Sequence, residues 1–344
     1  MKQRLAHMAL GSEPAMTASA LSALDSGGTS VDACIAGLFA AAGLMPGVLL
    51  GSMVLLVSGT GVGTYVFDGS VVQPGLGVPR PRGFVHRSDI PPGACVPVSA
   101  SGAMLAAAHA HDGHLSMQTL AGYGVRTANG VQARARANLL GLFGQLGALA
   151  LCETPFVRAM LAVAGRPEGG NTTTEDIVEV RASVGKPVVT GGVVHVGARP
   201  LKVDLPQLEC LVVVACDRRG VFAVAHCAFD PRGPEIVPYG VVASRLAFPV
   251  RRGVPRIQPG TSLQLPVPIA LLTNNGVPWA AVAIEAIANV DWERVDSHVL
   301  LDVTLEQAIE PALTVDNRKL KALAVVAGLG GELARSCVIR ASAT

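Results

Sequence analysis

The sequence has few charged and few aromatic residues, and these shortages limit what the protein can be. Of its 344 residues, 15% are charged and 4% are aromatic, and the formal net charge is +2. A dedicated nucleic-acid-binding protein usually carries a clustered basic face, so this composition argues against that class. The small groups of arginines are typical of solvated surface or, as a less favoured alternative, of a docking patch for an acidic partner. They are Arg80 and Arg82, Arg134 and Arg136, and Arg251, Arg252 and Arg256.

Long uninterrupted hydrophobic runs are also missing, although half of the residues are hydrophobic and the mean hydropathy is +0.45. The stretch 33–57 is broken by Gly43, Pro46 and two further glycines. The stretch 139–151 is too short to cross roughly 30 Å of hydrocarbon. We therefore expect no membrane span, and we expect folded rather than disordered chain. The excess apolarity predicts elements buried on both faces, or a large subunit interface.

The cysteines form no recognisable framework. There are seven of them, without a CxxC pair or the spacing of a zinc knuckle. Residues 1–10 include basic side chains but no continuous apolar segment followed by a small-residue cleavage site. These features predict a protein of the reducing cytoplasm without a signal peptide. We expect neither a resident cofactor nor a metal.

The pattern of residues changes near position 185, within what we interpret as a single domain spanning 1–344. Residues 1–185 are mainly helical, and residues 186–344 are rich in β-strand patterns separated by polar or glycine-containing turns. Helices are predicted at 17–24, from a cap at Thr29 or Ser30 onward, and at 101–111, 117–123, 133–152, 279–287 and 305–309. Strands are predicted at 53–57, 64–67, 187–196, 208–215, 221–228, 267–272 and 337–340. Because like elements are grouped, the sequence predicts an α+β fold with stacked antiparallel sheets and helices outside.

Four segments resemble those of γ-glutamyltranspeptidases, in the order that the family has them. Residues 27–33 (GGTSVDA) resemble the family's GGNAVDAAVA segment, and 98–129 resembles the helix and AI.LA..G segment that follow. Residues 169–180, with TEDI at 174–177, are similar to GG..T.EDL, and 305–312 (LEQAIEPA) to LQEAVDAPR. The resemblance implies an N-terminal-nucleophile (Ntn) hydrolase fold, an αββα sandwich that is shortened here.

The residues that carry the family's reaction are replaced. Family members cut their own chain before a threonine, in a TTH triplet, and its freed amino group activates the hydroxyl. The hairpin that matches this motif places Cys210 at the nucleophile and Val212 at the histidine. A cysteine thiolate is a strong nucleophile, so Cys210 is the candidate catalytic residue. The alternative is that Cys210 simply begins a buried strand, and Glu209 beside it would raise the pKa of the thiol.

The substrate-binding residues of the family are also replaced. The resemblance aligns Gly77 with an arginine that holds the substrate carboxylate, which leaves Arg80 or Arg82 to substitute after a shift of the loop. The family's GSPGG oxyanion turn has no counterpart, because 274–278 leads directly into the predicted helix 279–287. Its NN.M.DF segment has none in 241–250 either, where Arg245 is our remaining substrate-binding candidate.

A few other polar groups are candidates for chemistry. His111 and His114 share a helix face, so with Asp112 they form a conceivable metal site, although a solvated helix end is the favoured interpretation. His226, in a predicted strand, is either a catalytic residue of the cleft or a hydrogen-bonded sheet histidine. The glycine-rich segment 58–63 precedes a strand rather than a helix, which favours a hairpin over a phosphate-binding loop.

These losses predict a scaffold without ordinary γ-glutamyl hydrolysis. The first hypothesis is a biosynthetic tailoring enzyme, similar to the larger component of the two-protein aziridine-forming enzymes of azinomycin-type pathways. That resemblance implies a second protein subunit, a small acidic carrier protein and an amino-acid-derived substrate held through a γ-glutamyl amide. The second hypothesis is a Cys210-dependent Ntn amidohydrolase or γ-glutamyl transferase that cleaves itself between Glu209 and Cys210. The third is a non-catalytic subunit.

Overall fold

The computed structural model describes residues 7–79, 83–199, 207–295, 305–313, 319–328 and 331–340. Within them, two six-stranded antiparallel sheets lie face to face. The strands are β1 (Met8–Gly11), β2 (Ser52–Gly59), β3 (Gly63–Gly69), β4 (Ser183–Gly185), β5 (Val188–Thr190), β6 (Val193–His195), β7 (Glu209–Cys216), β8 (Phe222–Phe229), β9 (Glu235–Ile236), β10 (Val241–Val242), β11 (Ile269–Asn274), β12 (Val277–Ile284), β13 (Lys319–Gly328) and β14 (Gly331–Arg340). The first sheet has the order β1-β7-β8-β2-β3-β4, the second β14-β13-β12-β11-β6-β5, and β9 pairs with β10 alone.

Helices cover the outer faces of the two sheets unequally. The described α-helices are α1 (Pro14–Asp25), α2 (Ser30–Leu44), α3 (Ser101–Asp112), α4 (Met117–Thr127), α5 (Ala133–Leu146), α6 (Thr154–Ala164), α7 (Thr174–Glu179) and α8 (Leu305–Ile309). A large apolar core joins α1 to α7 to the first sheet, and a second fills the space between the sheets. On the outer face of the second sheet, α8 and a turn carrying Trp292 cover a smaller core. This is the predicted α+β, αββα arrangement.

The helix α2 shows how the sequence specifies this layer locally. The Thr29 hydroxyl accepts a hydrogen bond from the Asp32 N–H at 3.1 Å, and the Asp32 carboxylate accepts one from the Thr29 N–H at 2.9 Å. This reciprocal cap satisfies two N–H groups that the helix itself leaves unpaired. All residues of α2 except the last are buried, because α1, α4 and the first sheet surround it. The predicted cap at this position is confirmed.

The predicted helix 279–287 is wrong, because 279–284 belong to the strand β12 and 285–287 form a bend after it. The alanine-rich run has good helix propensity, but β12 lies between β11 and β13 and pairs with both. Asn275 and Gly276 have φ angles of 50° and 78°, as a two-residue hairpin turn requires. Pairing on both sides outweighs the propensity of the isolated segment. The 274–278 segment therefore turns a hairpin instead of entering a helix.

Two further differences concern boundaries. The predicted helix 133–152 ends at Leu146, and Gly147, with φ of 61°, leads into a 3₁₀ turn at 147–151. The strand β13 was not predicted, and the final strand begins six residues before the predicted 337.

Among the described helices, none is by itself long and apolar enough to cross a membrane. The segments Ala133–Leu151 and Thr154–Glu168 reach that length and apolarity only together, as a pair bent by 64°.

Candidate functional site

The space between the two sheets is apolar over most of its length and polar at one end. Along β7, Val212 and Val214 contribute to the inter-sheet core, and the two-residue period of the strand gives Cys210 the same face. Two ion pairs lie at this polar end. Asp68 of β3 pairs with Arg199, and Glu285, which follows β12, pairs with Lys321 of β13. Glu285 acts on the thiol of Cys210, the residue aligned with the family's nucleophile, and Arg199 acts on the imidazole of His226, so this end is the candidate functional site.

Cys210 is partly buried near the start of β7, where it pairs with Ala228 of β8. Burial and the carboxylates of Glu285 and Glu209 raise the pKa of its thiol to about 12. The thiol is therefore protonated at neutral pH and is a poor nucleophile in this state. The direction predicted from Glu209 is confirmed, although burial contributes most and Glu285 was not foreseen. As a catalytic residue, Cys210 stays a prediction.

Glu285 follows β12 and approaches Cys210 from the second sheet. Lys321 Nζ lies 3.1 Å from Glu285 Oε1 and donates a hydrogen bond to the Ser12 carbonyl at 2.5 Å. The ion pair is close but lacks hydrogen-bond alignment, so the buried Oε1 accepts no hydrogen bond from the described part of the chain. A carboxylate oxygen with free acceptor capacity, beside an ammonium group, can accept a proton or bind a donor from a ligand.

His226 is completely buried in β8, two residues along the strand from Ala228, the register partner of Cys210. Its register partners are Val212 on one side and Val54 on the other. Its Nε2 lies 2.9 Å from the Ala286 carbonyl oxygen, which makes it the donor of a hydrogen bond there. Burial lowers the pKa of this imidazole to about 4, and the nearby charge of Arg199 acts in the same direction. These contacts match the hydrogen-bonded sheet histidine; its catalytic role stays a prediction.

Asp68 and Arg199 form an ion pair that the sequence did not reveal. Arg199 Nη2 donates to Asp68 Oδ2 at 2.7 Å, and both side chains are less than a tenth exposed. Gln264 Nε2 also donates to Asp68 Oδ2, at 2.9 Å, and the Ser70 N–H donates to Oδ1 at 2.9 Å. Burial lowers the pKa of Arg199, and Asp68 opposes that shift. The only sequence signal was an aspartate that interrupts an otherwise apolar strand.

The predicted substrate-binding arginines have different outcomes. Arg80 and Arg82 lie outside the described residues. Arg245 donates from Nε to Asp230 Oδ2 at 2.6 Å, and Asp230 is fully buried. The neighbouring Leu246, rather than Arg245, belongs to the apolar cluster against which Cys210 packs. The assignment of substrate binding to these arginines stays a prediction.

The three histidines near the end of α3 do not converge. His109 Nε2 lies 2.6 Å from the Leu115 carbonyl oxygen, and His111 Nε2 lies 3.2 Å from that of Val62. The His111 ring also packs against Tyr65. In the described ranges, no group of three or more His, Cys, Asp or Glu side chains could hold a metal ion. The predicted hairpin at 58–63 is confirmed, as the turn between β2 and β3.

Comparison with known proteins reveals likeness in fold rather than in sequence. No family model matches the chain, and no curated protein sequence matches it. LmbA2991 superposes with a TM-score of 0.72 at 12% identity, over 96% of both chains. A cephalosporin acylase from Bacillus halodurans gives 0.70 at 12% identity, over 97% of this chain and 94% of that one. A γ-glutamyltranspeptidase from Helicobacter pylori covers 55% of this chain and 67% of its own at 16% identity, with a TM-score of 0.44 that is too low to support a conclusion. The chain thus shares the fold of LmbA2991 and of the cephalosporin acylase, in agreement with the sandwich that the sequence resemblance implied.

Proposed function

We propose that the protein is a biosynthetic tailoring enzyme that closes a ring on an amino-acid-derived, γ-glutamyl-linked or carrier-bound substrate. An amine of the substrate attacks a neighbouring carbon that carries a leaving group. The C–N bond forms as the bond to the leaving group breaks, the leaving group departs as an anion, and the amine loses one proton. The product is an aziridine. The enzyme contributes geometry and a proton acceptor instead of an acyl-enzyme intermediate.

The observation that supports this proposal best is the environment of Cys210. Its thiol has a pKa of about 12, whereas acyl transfer needs an activated nucleophile. Glu285, whose carboxylate adds to the effect of burial on the pKa of this thiol, has a buried oxygen, Oε1, that accepts no hydrogen bond from the described ranges although the Lys321 ammonium lies 3.1 Å away. A substrate amine can donate that hydrogen bond. The site therefore favours accepting a proton from the substrate over attacking it.

The roles of the charged groups follow from this arrangement. Glu285 takes the proton that the attacking amine releases, and the Lys321 ammonium, 3.1 Å from Oε1, keeps Glu285 in place. The leaving anion requires a cation, for which Arg80, Arg82 and Arg245 are the candidates from the sequence. Both terminal nitrogens of Arg245 are without a hydrogen bond to the described residues, since only Nε contacts Asp230.

We further infer that the chain works with partners: a second protein subunit and a small acidic carrier protein. Support for the subunit comes from the short edge strands β4 and β5, where Val184, Val188 and Val189 are 53%, 46% and 65% exposed. Edge strands with exposed apolar side chains are common sites of association. Native mass spectrometry of the purified protein tests this directly, and a strictly monomeric chain without a co-purified protein contradicts it.

Turnover of a defined probe tests the reaction. The probe is a γ-glutamyl-linked 1,2-amino mesylate, incubated with the chain and any co-purified subunit, and mass spectrometry quantifies the aziridine and released methanesulfonate. Glu285→Gln should lower kcat by about 10²-fold or more, as loss of a general base does. Cys210→Ala should retain turnover. Glu209→Gln is the matched control, because this neighbouring carboxylate is exposed.

The two other hypotheses give distinct outcomes. If Cys210→Ala abolishes activity and the wild-type chain is cleaved between Glu209 and Cys210, the protein is a cysteine-dependent Ntn amidohydrolase. The position of Cys210 near the start of β7 is the observation in favour of that alternative. If the chain with its subunit turns over neither the probe nor a γ-glutamyl amide, the non-catalytic role stands and the cyclase proposal fails.

A further inference from the structure

A groove on the helical side of the molecule shares no residue with the site around Cys210. It has a volume of about 610 Å³ and lies between α6, the turn after it, the start of α7 and the loop 76–78. Helical spacing puts Arg158, Leu161 and Ala162 on the wall formed by α6. Volumes of about 300–1,000 Å³ are usual for small-molecule sites, so the groove has room for more than one amino acid.

Hydrogen bonds hold the walls of the groove together. The buried carboxylate of Asp176 accepts from the N–H groups of Gly75 and Leu76, both at 2.9 Å, and from the Thr173 N–H at 2.8 Å. The Thr172 N–H donates to the Ala164 carbonyl at 3.2 Å, which fixes α7 to the end of α6. The loop, α6 and α7 are thus joined before any ligand arrives, so the groove is preorganised.

The Thr173 hydroxyl bonds to Asp176, but some other polar side chains that line the groove make no hydrogen bond or ion pair to the described part of the chain. Thr172 is 4% exposed, and its hydroxyl has no hydrogen-bond partner among the described residues. A buried hydroxyl without a partner costs free energy that a ligand's donor or acceptor recovers. The exposed side chains of Arg158, Arg166 and Glu175 also line the groove, and they form no ion pair with the described part of the chain. A buried hydroxyl without a partner, in a rigid frame that also presents charged side chains, is available to a ligand.

We propose that this groove binds a short aliphatic peptide, or an amino-acid conjugate, that carries both a free carboxylate and a free amine. The guanidinium groups of Arg158 and Arg166 match the carboxylate. Glu175 provides the opposite charge for the amine. Leu76, Val78 and Leu161, which also line the groove, contact the aliphatic body. Thr172 supplies a hydroxyl to a peptide amide within the groove.

Isothermal titration of the full chain with the dipeptide Leu-Leu tests the proposal. Acetyl-Leu-Leu, which lacks the ammonium, and Leu-Leu amide, which lacks the carboxylate, should each bind about tenfold or more weakly, because each loses a charge-assisted contact. Arg158→Gln and Arg166→Gln should weaken Leu-Leu binding similarly and should not alter binding of Leu-Leu amide. Arg134→Gln, an exposed arginine of α5 outside the groove, is the matched control and should change nothing.

Thr172→Val separates ligand binding from a structural role. The hydroxyl makes no hydrogen bond to the described residues of the free protein, so its removal should leave the thermal unfolding midpoint equal or higher while weakening Leu-Leu binding. The proposal is overturned if Leu-Leu does not bind up to millimolar concentration. It is equally overturned if binding is unchanged by both arginine variants and by Thr172→Val. Neither readout depends on ring closure, so its failure is distinct from that of the proposed function.

Discussion

Alkylation of Cys210 should be much slower than alkylation of an ordinary thiol. At pH 8, a thiol with the usual pKa of 9.0 is about 10% thiolate, whereas one at about 12 is about 0.01% thiolate. The thousandfold deficit is partly offset, because a more basic thiolate is intrinsically about 20-fold more reactive over three pKa units. The net expectation is that iodoacetamide modifies Cys210 in the folded chain about 50-fold more slowly than in the denatured chain.

Peptide-level mass spectrometry after timed exposure to iodoacetamide measures this rate at each cysteine. The rate at Cys210 should continue to rise about tenfold per pH unit from pH 8 to pH 10, since the thiol stays far below its pKa there. Glu285→Gln removes the carboxylate that has the larger effect on the thiol pKa, and it should accelerate the reaction more than Glu209→Gln does. If Cys210 reacts in the folded chain as fast as in the denatured one, or if Glu285→Gln has no effect, the electrostatic account of this site is refuted.

Three further predictions concern stability, each measured by urea denaturation. Asp68→Asn leaves the buried charge of Arg199 without its counter-ion, and should cost about 3–5 kcal/mol; a loss below about 1 kcal/mol would show that water already reaches the pair. His226 has a folded pKa of about 4 against an unfolded value near 6.5, so only the unfolded chain gains the proton between these values. Stability should therefore fall as pH drops from 6.5 to 4, by about 3 kcal/mol in total, and His226→Gln should remove this part of the pH dependence. Thr29→Ala removes the cap of α2 and should cost about 1 kcal/mol, with an unchanged unfolding midpoint speaking against the role of the cap.

The sequence was informative wherever a local rule decides the structure. The cap at Thr29, the hairpin at 58–63 and the strand that contains Cys210 all follow from short patterns whose physical cause lies within a few residues. The four family-like segments indicated the sandwich fold, and the superposition on LmbA2991 agrees with it. Local patterns gave the wrong prediction for 279–284. An alanine-rich sequence is compatible with a helix, and only the pairing with β11 and β13 makes this segment a strand.

Only some residues of the candidate site could be predicted from the sequence. Cys210 and His226 could be named from their strands, but Glu285, Lys321 and Arg199 could not, because they are 75, 111 and 11 residues away from Cys210 along the chain. Nothing in a local window indicates which charges will meet across two sheets. The groove lined by Arg158 and Thr172 was missed for the same reason, since it forms where a loop, a helix end and a turn come together.

By itself, the sequence indicated the fold class: few charges and abundant small apolar residues predict elements buried on both faces or a large subunit interface, and the four family-like segments predict the αββα sandwich. Tertiary structure alone decided the chemistry that is available. Packing buries the Cys210 thiol and brings Glu285 close to it, and burial, with a smaller effect of this carboxylate, keeps the thiol protonated. A pKa depends on charges and solvent within a few ångströms, and only the folded chain determines which ones those are.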